Sequence, residues 1–420
     1  MPTVIGDADG RYRLHGMATP TTAVGYTPMS DFSLWDTYRT VHPLYAWLAP
    51  ASARDSTGSL AAFAALGGCP RWPIAIGESG TMLGASCDVV VADAVARGVT
   101  EHADALWPLL RAAALDATAP ASGRGGRDQV EPYMQHGYVP ASVGRSVSHT
   151  TEYAHDDFAL ANLAEHQGDA AAAATLRARS RGWRMLFDPA VGFLRARRAD
   201  GTFPPGDFDP LALSDDYAEA NAWHSLWMAG VHDPDGLAEL FGGAAGAVTK
   251  LETFFTEAKR DWDTGDASAA NFPRPYYWHG NEPDLNAAFL FAQLGRPDLT
   301  HEWARWIIDH HYTDTPSGVA GNDDGGTLGS WYVLAALGLY PVAGSADWIV
   351  ATPIFERARI VVDGHALTID AAGASTANRF VAGVAIDGVP LTTPRLTQAD
   401  LRQATHITYT MTDAPTSWGQ

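Results

Sequence analysis

The 420-residue sequence is poor in most of the features that tie a protein to a metal, a nucleotide, a membrane or a nucleic acid. Cysteine is nearly missing. Cys69 and Cys87 stand without the repeated spacing of a zinc site or a disulfide scaffold. They read as two free buried thiols, a single bridge between them being the other reading. Charged residues make up only 18%, and the 28 basic residues are outnumbered by 48 acidic ones, giving a net charge of −20. Phosphate binding needs clustered Lys and Arg, so this balance excludes nucleic acid and an anionic membrane as partners. It suits a neutral substrate or a divalent cation, and it serves solubility. No apolar run approaches the roughly 18 residues of a membrane span. The start, Met1-Pro-Thr-Val-Ile-Gly-Asp, lacks the basic end and apolar stretch of a signal peptide. On the sequence as given the chain reads as cytoplasmic; a missing upstream segment would make it secreted or periplasmic. There is no Gly-x-Ser-x-Gly elbow, no phosphate-binding Gly-rich loop ending in Lys-Ser/Thr, no dinucleotide fingerprint, and no His pair at i, i+4 flanking a Glu. Serine hydrolases, nucleotide enzymes and that class of metalloprotease are thereby set aside.

What is present is apolar and helical. Hydrophobic residues are 46% of the chain, enough for a sizeable core. Apolar residues recur at three- and four-residue spacing over 88–97, 102–117, 157–166, 170–186, 237–255, 286–294, 299–312 and 327–339. Several of these runs stop at glycine (Gly98, Gly168, Gly295, Gly338), as helices do. Short Gly/Pro/Asp links make neighbours antiparallel. The expected fold class is mainly α: an (α/α)6 toroid of helical hairpins over 31–345, preceded by an extended lead-in over 1–30. After Pro341 the runs 358–362, 366–369, 380–386 and 406–411 turn β-rich, which predicts a small C-terminal antiparallel β module over 346–420 packed on the helices.

Polar chemistry is concentrated at helix entrances. Tyr276-Tyr-Trp-His-Gly-Asn-Glu-Pro-Asp284 and Gly318-Val-Ala-Gly-Asn-Asp-Asp-Gly-Gly326 crowd acids and amides into turns ahead of apolar helices, and Glu219-Ala-Asn221 does the same. A carboxylate at such a place caps the helix, holds a cation or moves a proton. One such turn is ordinary capping; three with the same chemistry favour an active site. Asn281, Glu282, Asn322, Asp323 and Asp324 offer hard oxygens, which suits calcium and its 6–8 or so oxygen ligands, although the spacing is not that of an EF-hand. Glu219 lies near Trp223 and Trp227 and is a candidate acid of raised pKa. In Ser33-Leu-Trp-Asp-Thr-Tyr-Arg39, Asp36 and Arg39 are one helical turn apart. They read either as a surface ion pair over a core Trp35 or as a sugar pocket, with Trp stacking on a pyranose and Asp taking two hydroxyls. The dense run Val147–Asp157 includes Asp156, a candidate N-cap, with Thr151 and Glu152 structural.

Together with Trp72–Glu78, Gly137–Pro140, His232-Asp233, Ser330–Val333 and Leu337–Pro341, these motifs resemble, in order, glycoside hydrolase family 92, the calcium-dependent exo-acting α-mannosidases. The resemblance implies hydrolysis of terminal α-linked mannose with inversion, on mannose-containing glycans. By that resemblance Glu219 is the general acid and Asp324 the base. Asn322 stands where some members carry a second Asp, and Asp323 is the adjacent candidate. Ca2+ would be held by Asn281, Glu282 and the Asn221 segment. Trp35, Asp36, Arg39, Trp278 and His279 would bind the sugar. The sequence departs from the family in Asn286 for a common His, in Ala220 for a common Gly, and in starting just before Ser33 without the usual N-terminal β-sandwich. The other readings are therefore a catalytically silent mannose-binding remnant and one half of a split enzyme whose sandwich is a separate chain.

Overall fold

The computed structural model describes residues 2–117, 126–264 and 275–420; residue 1, where the expected lead-in begins, lies outside them. Residues 2–30 form two short ladders, Thr3–Val4 with Met29–Ser30 and Arg11–Tyr12 with Thr21–Thr22. Helices follow: α1 Leu34–Thr37, α2 Val41–Leu48, α3 Pro50–Ala64, α4 Ser86–Ala96, α5 Ala103–Leu115, α6 Val130–His136, α7 Ser146–His166 and α8 Ala170–Arg179. The second half adds α9 Ala222–Met228, α10 Pro234–Leu240, α11 Ala244–Asp263, α12 Ala287–Gln293, α13 Pro297–His311 and α14 Thr327–Ala336, with α15 Gln398–Gln403 in the C-terminal part. Gly98, Gly168, Gly295 and Gly338 all take positive φ just past a helix end, where a side chain is disfavoured. The predicted run 237–255 is broken into α10 and α11 at Gly242-Gly243, both at positive φ.

Helices close in the chain pack on one another: α2 on α3 and α4, α4 on α7, α7 on α8 and α9, α12 on α13, α13 on α14. Helix α14 also touches α2, which returns the end of the helical region to its beginning. One core joins Trp183, Trp227, Phe254, Phe255, Phe289 and Trp331; another joins Leu60, Val90, Leu106 and Leu160. A third, with Trp47, Leu334, Trp348 and Ile407, seats the C-terminal sheets on α2 and α14.

Those sheets are a three-stranded one, Arg395–Thr397 against Asp347–Val350 against Leu339–Pro341, and a five-stranded one. In the latter, Arg357–Val362, His365–Asp370, His406–Thr412, Phe380–Ile386 and Val389–Pro390 are neighbours in that order. All pairs are antiparallel except His365–Asp370 with His406–Thr412, paired Thr368 to His406 in parallel. The chain crosses over through α15 to insert its last strand into the middle of the sheet.

Three expectations are corrected. Cys69 and Cys87 are not free thiols: they form a disulfide across a Cα separation of 6.0 Å, the ordinary spacing for such a bond. It ties the loop after α3 to the first turn of α4. Asp156 caps no helix of its own, because α7 already runs through 146–166. Its Oδ2 instead accepts the N–H of Ala85, at the entrance to α4, 2.8 Å away. Arg39 and Asp36 do not form a surface ion pair; both are buried, and Arg39 bonds Glu152 at 3.1 Å.

Candidate active site

Three loops, each opening a helix, bring their polar residues to one cavity of about 740 Å³. Glu219 and Ala220 come from the loop before α9, Trp278 and Gly280–Glu282 from the loop before α12, and Gly321, Asn322 and Asp324 from the loop before α14. Arg145, at the entrance of α7, and Leu213, Ser214, Asp215 and Tyr217, just ahead of Glu219, complete the wall. Three of these residues carry left-handed backbone without being glycine: Arg145 at φ 57°, Glu219 at 51° and Asp324 at 39°. Such conformations cost roughly 1 kcal/mol or more each and persist where the surroundings impose them, typically at functional sites. The surroundings are visible here. The N–H of Arg145 donates to the Asp215 carbonyl, that of Val147 to Asp216, and that of Ala218 to the Ser148 hydroxyl, which pins the loop of Glu219 onto the start of α7.

Trp278 owes its place to two glycines. A Cβ on Gly280 would lie 2.5 Å from the indole ring and 2.7 Å from the Ala320 carbonyl. A Cβ on Gly321 would lie 3.3 Å from the same ring.

The carboxyl groups press on one another. Glu282, only 4% exposed, is pushed up to about 8 by burial and by Asp324, with which its carboxyl shares a hydrogen bond. Asp324 is itself raised by burial, the Glu282 bond easing it and Asp323 adding to it. Asp36, beneath them and 1% exposed, is held well above the carboxylate range by burial and by Glu282, Asp324 and Glu219, against the pull of Arg39. Partial burial raises Glu219, Asp324 adds to it, and Arg145 opposes. Arg145 is the one basic side chain on the cavity wall among the described residues.

The structure brings Glu219, Asn322, Asp324, Trp278, Asn281 and Glu282 together on the cavity, with Asp36 close enough to feel three of their charges. It does not bring the others there. Asp323 faces a second hollow on the far side of its loop, with Tyr312 and Tyr332, and accepts the N–H of Gly329 at 2.8 Å. His279 is wholly buried, its ring nitrogens bonded to the hydroxyls of Tyr277 at 2.7 Å and Tyr312 at 2.6 Å. The Asn221 side chain is spent on backbone: its Oδ1 caps α9 at Trp223 and His224, and its Nδ2 donates to the carbonyls of Leu211 and Pro275. Trp35 and Arg39 lie under the site, the guanidinium 4.9 Å from the Trp35 ring and 4.5 Å from Tyr38. Trp223, expected to shelter Glu219, stacks instead on Phe254 in the core. Glu219 is consequently the more open of the two carboxylates, not the more sheltered.

Sequence reasoning missed Arg145, Asp215 and Tyr217. Asp215-Asp-Tyr217 stands two residues before Glu219 and its acid–aromatic density was a usable signal. Arg145 left none.

The family profile described as Glycosyl hydrolase family 92 catalytic domain matches residues 1–413. The chain belongs to this family. Its structure is similar to that of a family 92 inverting mannosidase from Bacteroides thetaiotaomicron, with a TM-score of 0.88 and 26% identity, covering 99% of this chain and 57% of that one. A second family 92 α-mannosidase from the same organism gives a TM-score of 0.84 at 26% identity, over 99% of this chain and 54% of that one. In sequence the chain is 28% identical over 316 residues to an uncharacterized secreted glycosidase of Arthroderma benhamiae, covering 67% of this chain and 38% of that protein. The chain thus spans little more than half, or less, of the length of these relatives. As in other family 92 proteins of known structure, the helical region carries a C-terminal sheet region.

The site also meets the demands of a family cation. Among the described residues no three His, Cys, Asp or Glu side chains group as a metal site. Glu282 Oε1 and Asp36 Oδ2 are nevertheless buried and have no hydrogen-bond partner. Buried acceptors without donors are costly unless a cation or substrate hydroxyls meet them. Carboxylate and amide oxygens together suit calcium.

Proposed function

We propose that this chain is the catalytic part of an exo-acting α-mannosidase that hydrolyses terminal α-linked mannose with inversion, with calcium. The observation that carries the reading is the pairing of Glu219 and Asp324: two strained carboxylates from different loops, facing one cavity, with Asp324 raising the proton affinity of Glu219. Inversion needs one carboxylic acid to protonate the leaving oxygen and one carboxylate, across a gap of roughly 6.5–9.5 Å, to activate water. Glu219 is suited to the acid. It opens to the cavity, its proton is held by partial burial and by Asp324, and it needs no covalent bond to the sugar. Asp324, bonded to Glu282, is suited to take the proton of the attacking water. Trp278 gives the sugar an apolar face and Asp36 gives its far hydroxyls an acceptor. Glu282 and the amide oxygen of Asn281 would hold the cation, whose chemistry is to bind sugar hydroxyls as a Lewis acid and template. Mannose-containing glycans are the substrate class.

Mannose release from a mixture of α-linked mannobioses, with calcium and with chelator, tests the reading. The expected result is release with calcium that Glu219→Gln reduces by about 10²-fold or more, the usual worth of a general acid or above. Mannose binding without turnover would replace the enzyme by a lectin-like protein. Turnover unchanged in Glu219→Gln would remove the acid.

A further inference from the structure

The two catalytic carboxylates and the cation loop are tied together behind the cavity by buried polar contacts whose bonding side chains do not line it. Helix α9 starts three residues after Glu219, and in its first turn the ring of His224 meets Asp284, Nδ1 to Oδ2 at 2.7 Å, both side chains fully buried. The same Oδ2 accepts the backbone N–H of Trp278 at 3.0 Å. One carboxylate oxygen thus holds both the helix that follows the acid and the loop that presents Trp278, Asn281 and Glu282. Asn221 and Asn286 reinforce the join, donating to the carbonyls of Pro275 and Trp227, each at 3.0 Å. From this loop the connection continues to the base. Trp331 of α14 donates to the Leu285 carbonyl at 2.8 Å. The Tyr277–His279–Tyr312 chain ends on the Leu328 carbonyl, one turn past Asp324, at 2.8 Å.

We propose that His224 and Asp284 are positioning residues that set the acid Glu219 against the cation loop and the base Asp324, a role that rests on the reading above. The physical case is one of leverage. Helix α9 has seven residues, too few to hold its own direction without tertiary support. Glu219 sits in a strained turn at its start, so any relaxation of the first turn moves the acid. A misplacement near 1 Å costs on the order of 10²-fold in rate. A hydrogen bond between a carboxylate and a ring N–H is of the stronger, directional kind, and in a dry interior it fixes the angle as well as the distance.

The test separates acid placement from general damage. Two substrates are compared: an α-mannobiose, whose leaving group needs a proton, and 2,4-dinitrophenyl α-mannoside, whose leaving group does not. His224→Phe keeps the ring and removes the N–H; His224→Asn restores a donor near the Nδ1 position. For His224→Phe we expect kcat on the mannobiose to fall about 10²-fold, with kcat on the dinitrophenyl substrate reduced by less than about tenfold and KM little changed. His224→Asn should recover most of the loss. An equal fall on both substrates that follows the melting temperature, or no rescue by Asn, overturns the positioning role. If His224→Phe does not fold, Asp284→Asn, which keeps volume and acceptor but removes the charge, is read by the same substrate split. If the unmodified protein cleaves neither substrate, the mannosidase reading fails and takes this role with it. An active protein whose variants show no split defeats only the positioning.

Discussion

At the scale of single residues, the site depends on what is missing as much as on what is present. Gly280 has no Cβ, and Trp278 lies where one would be. Adding a methyl there meets the indole on one side and a backbone carbonyl on the other, and the carbonyl cannot yield without moving the loop of Gly321. The ring must therefore tilt away from its place on the cavity wall. Gly280→Ala is expected to raise KM for mannosides by about tenfold, the equivalent of roughly 1.4 kcal/mol, while the melting temperature shifts by only a few degrees. Stacking of the sugar on the ring, worth about 1 kcal/mol, is the contribution at risk. A melting temperature that collapses with unchanged KM in the surviving fraction would show that the glycine serves the fold and not the pocket.

At the scale of elements, the same contrast decides what the sequence reveals. Helices such as α5 and α13 were legible because one face is apolar and each ends near a turn. Helix α7 was half hidden: Ser146 to Asp157 looks like a polar loop, yet every residue of it is buried. Its hydroxyls bond back to the preceding turn, Thr150 to the Ser146 carbonyl at 2.8 Å. Its acids are met by arginines far away in sequence: Asp157 by Arg127 and Arg179, Glu152 by Arg39. Periodicity is blind to polar groups that are buried because they are paired, and partners 22, 30 and 113 residues apart carry no local signal. The same blindness concealed His224–Asp284 and let Asp323 pass for a site residue when its side chain faces the far side of the loop. The join between the helices and the C-terminal sheet offers a test at this scale. His301 of α13 is buried there, 6.5 Å from the rings of Phe380 and Trp418, and accepts the Val381 N–H at 3.5 Å. Burial lowers it from 6.5 to about 3. The unfolded chain takes up a proton as pH falls through 6.5, and the folded chain does so only near 3. Its contribution to stability is thus complete above 6.5 and is lost as pH falls from there toward 3. His301→Asn, which keeps an acceptor for Val381, should reduce the stability difference between pH 6.5 and pH 4 relative to the unmodified protein, by about 1 kcal/mol or less per unit. Parallel urea midpoints across that range in the two proteins would show that this ring is not among the groups that make the fold sensitive to acid.

At the scale of the whole molecule, the net charge of −20 repels itself, and the acidic cavity is where the repulsion is least screened. Asp36, Glu219, Glu282 and Asp324 share one small region, and buried Arg39 is already bonded to Glu152. Any cation would relieve the surface, but only a bound one relieves the cavity. The two effects differ in concentration and in selectivity. Screening of exposed charge changes over tens to hundreds of millimolar salt, as the Debye length falls from about 30 Å at 0.01 M to about 10 Å at 0.1 M. A site saturates: at a hundred times its dissociation constant it stabilises by about 2.7 kcal/mol. Millimolar calcium should therefore raise the melting temperature by several degrees above the value in sodium chloride of equal ionic strength. Magnesium should do less, because it demands a tighter, more regular shell than buried Glu282 and Asn281 provide. Glu282→Gln should remove the calcium-specific rise and leave the sodium response intact, since it takes away the carboxylate that a bound cation would need and leaves the surface field almost unchanged. A rise with calcium that sodium reproduces, or that survives in Glu282→Gln, would mean that the cavity holds no calcium and that its carboxylates are balanced by shared protons alone.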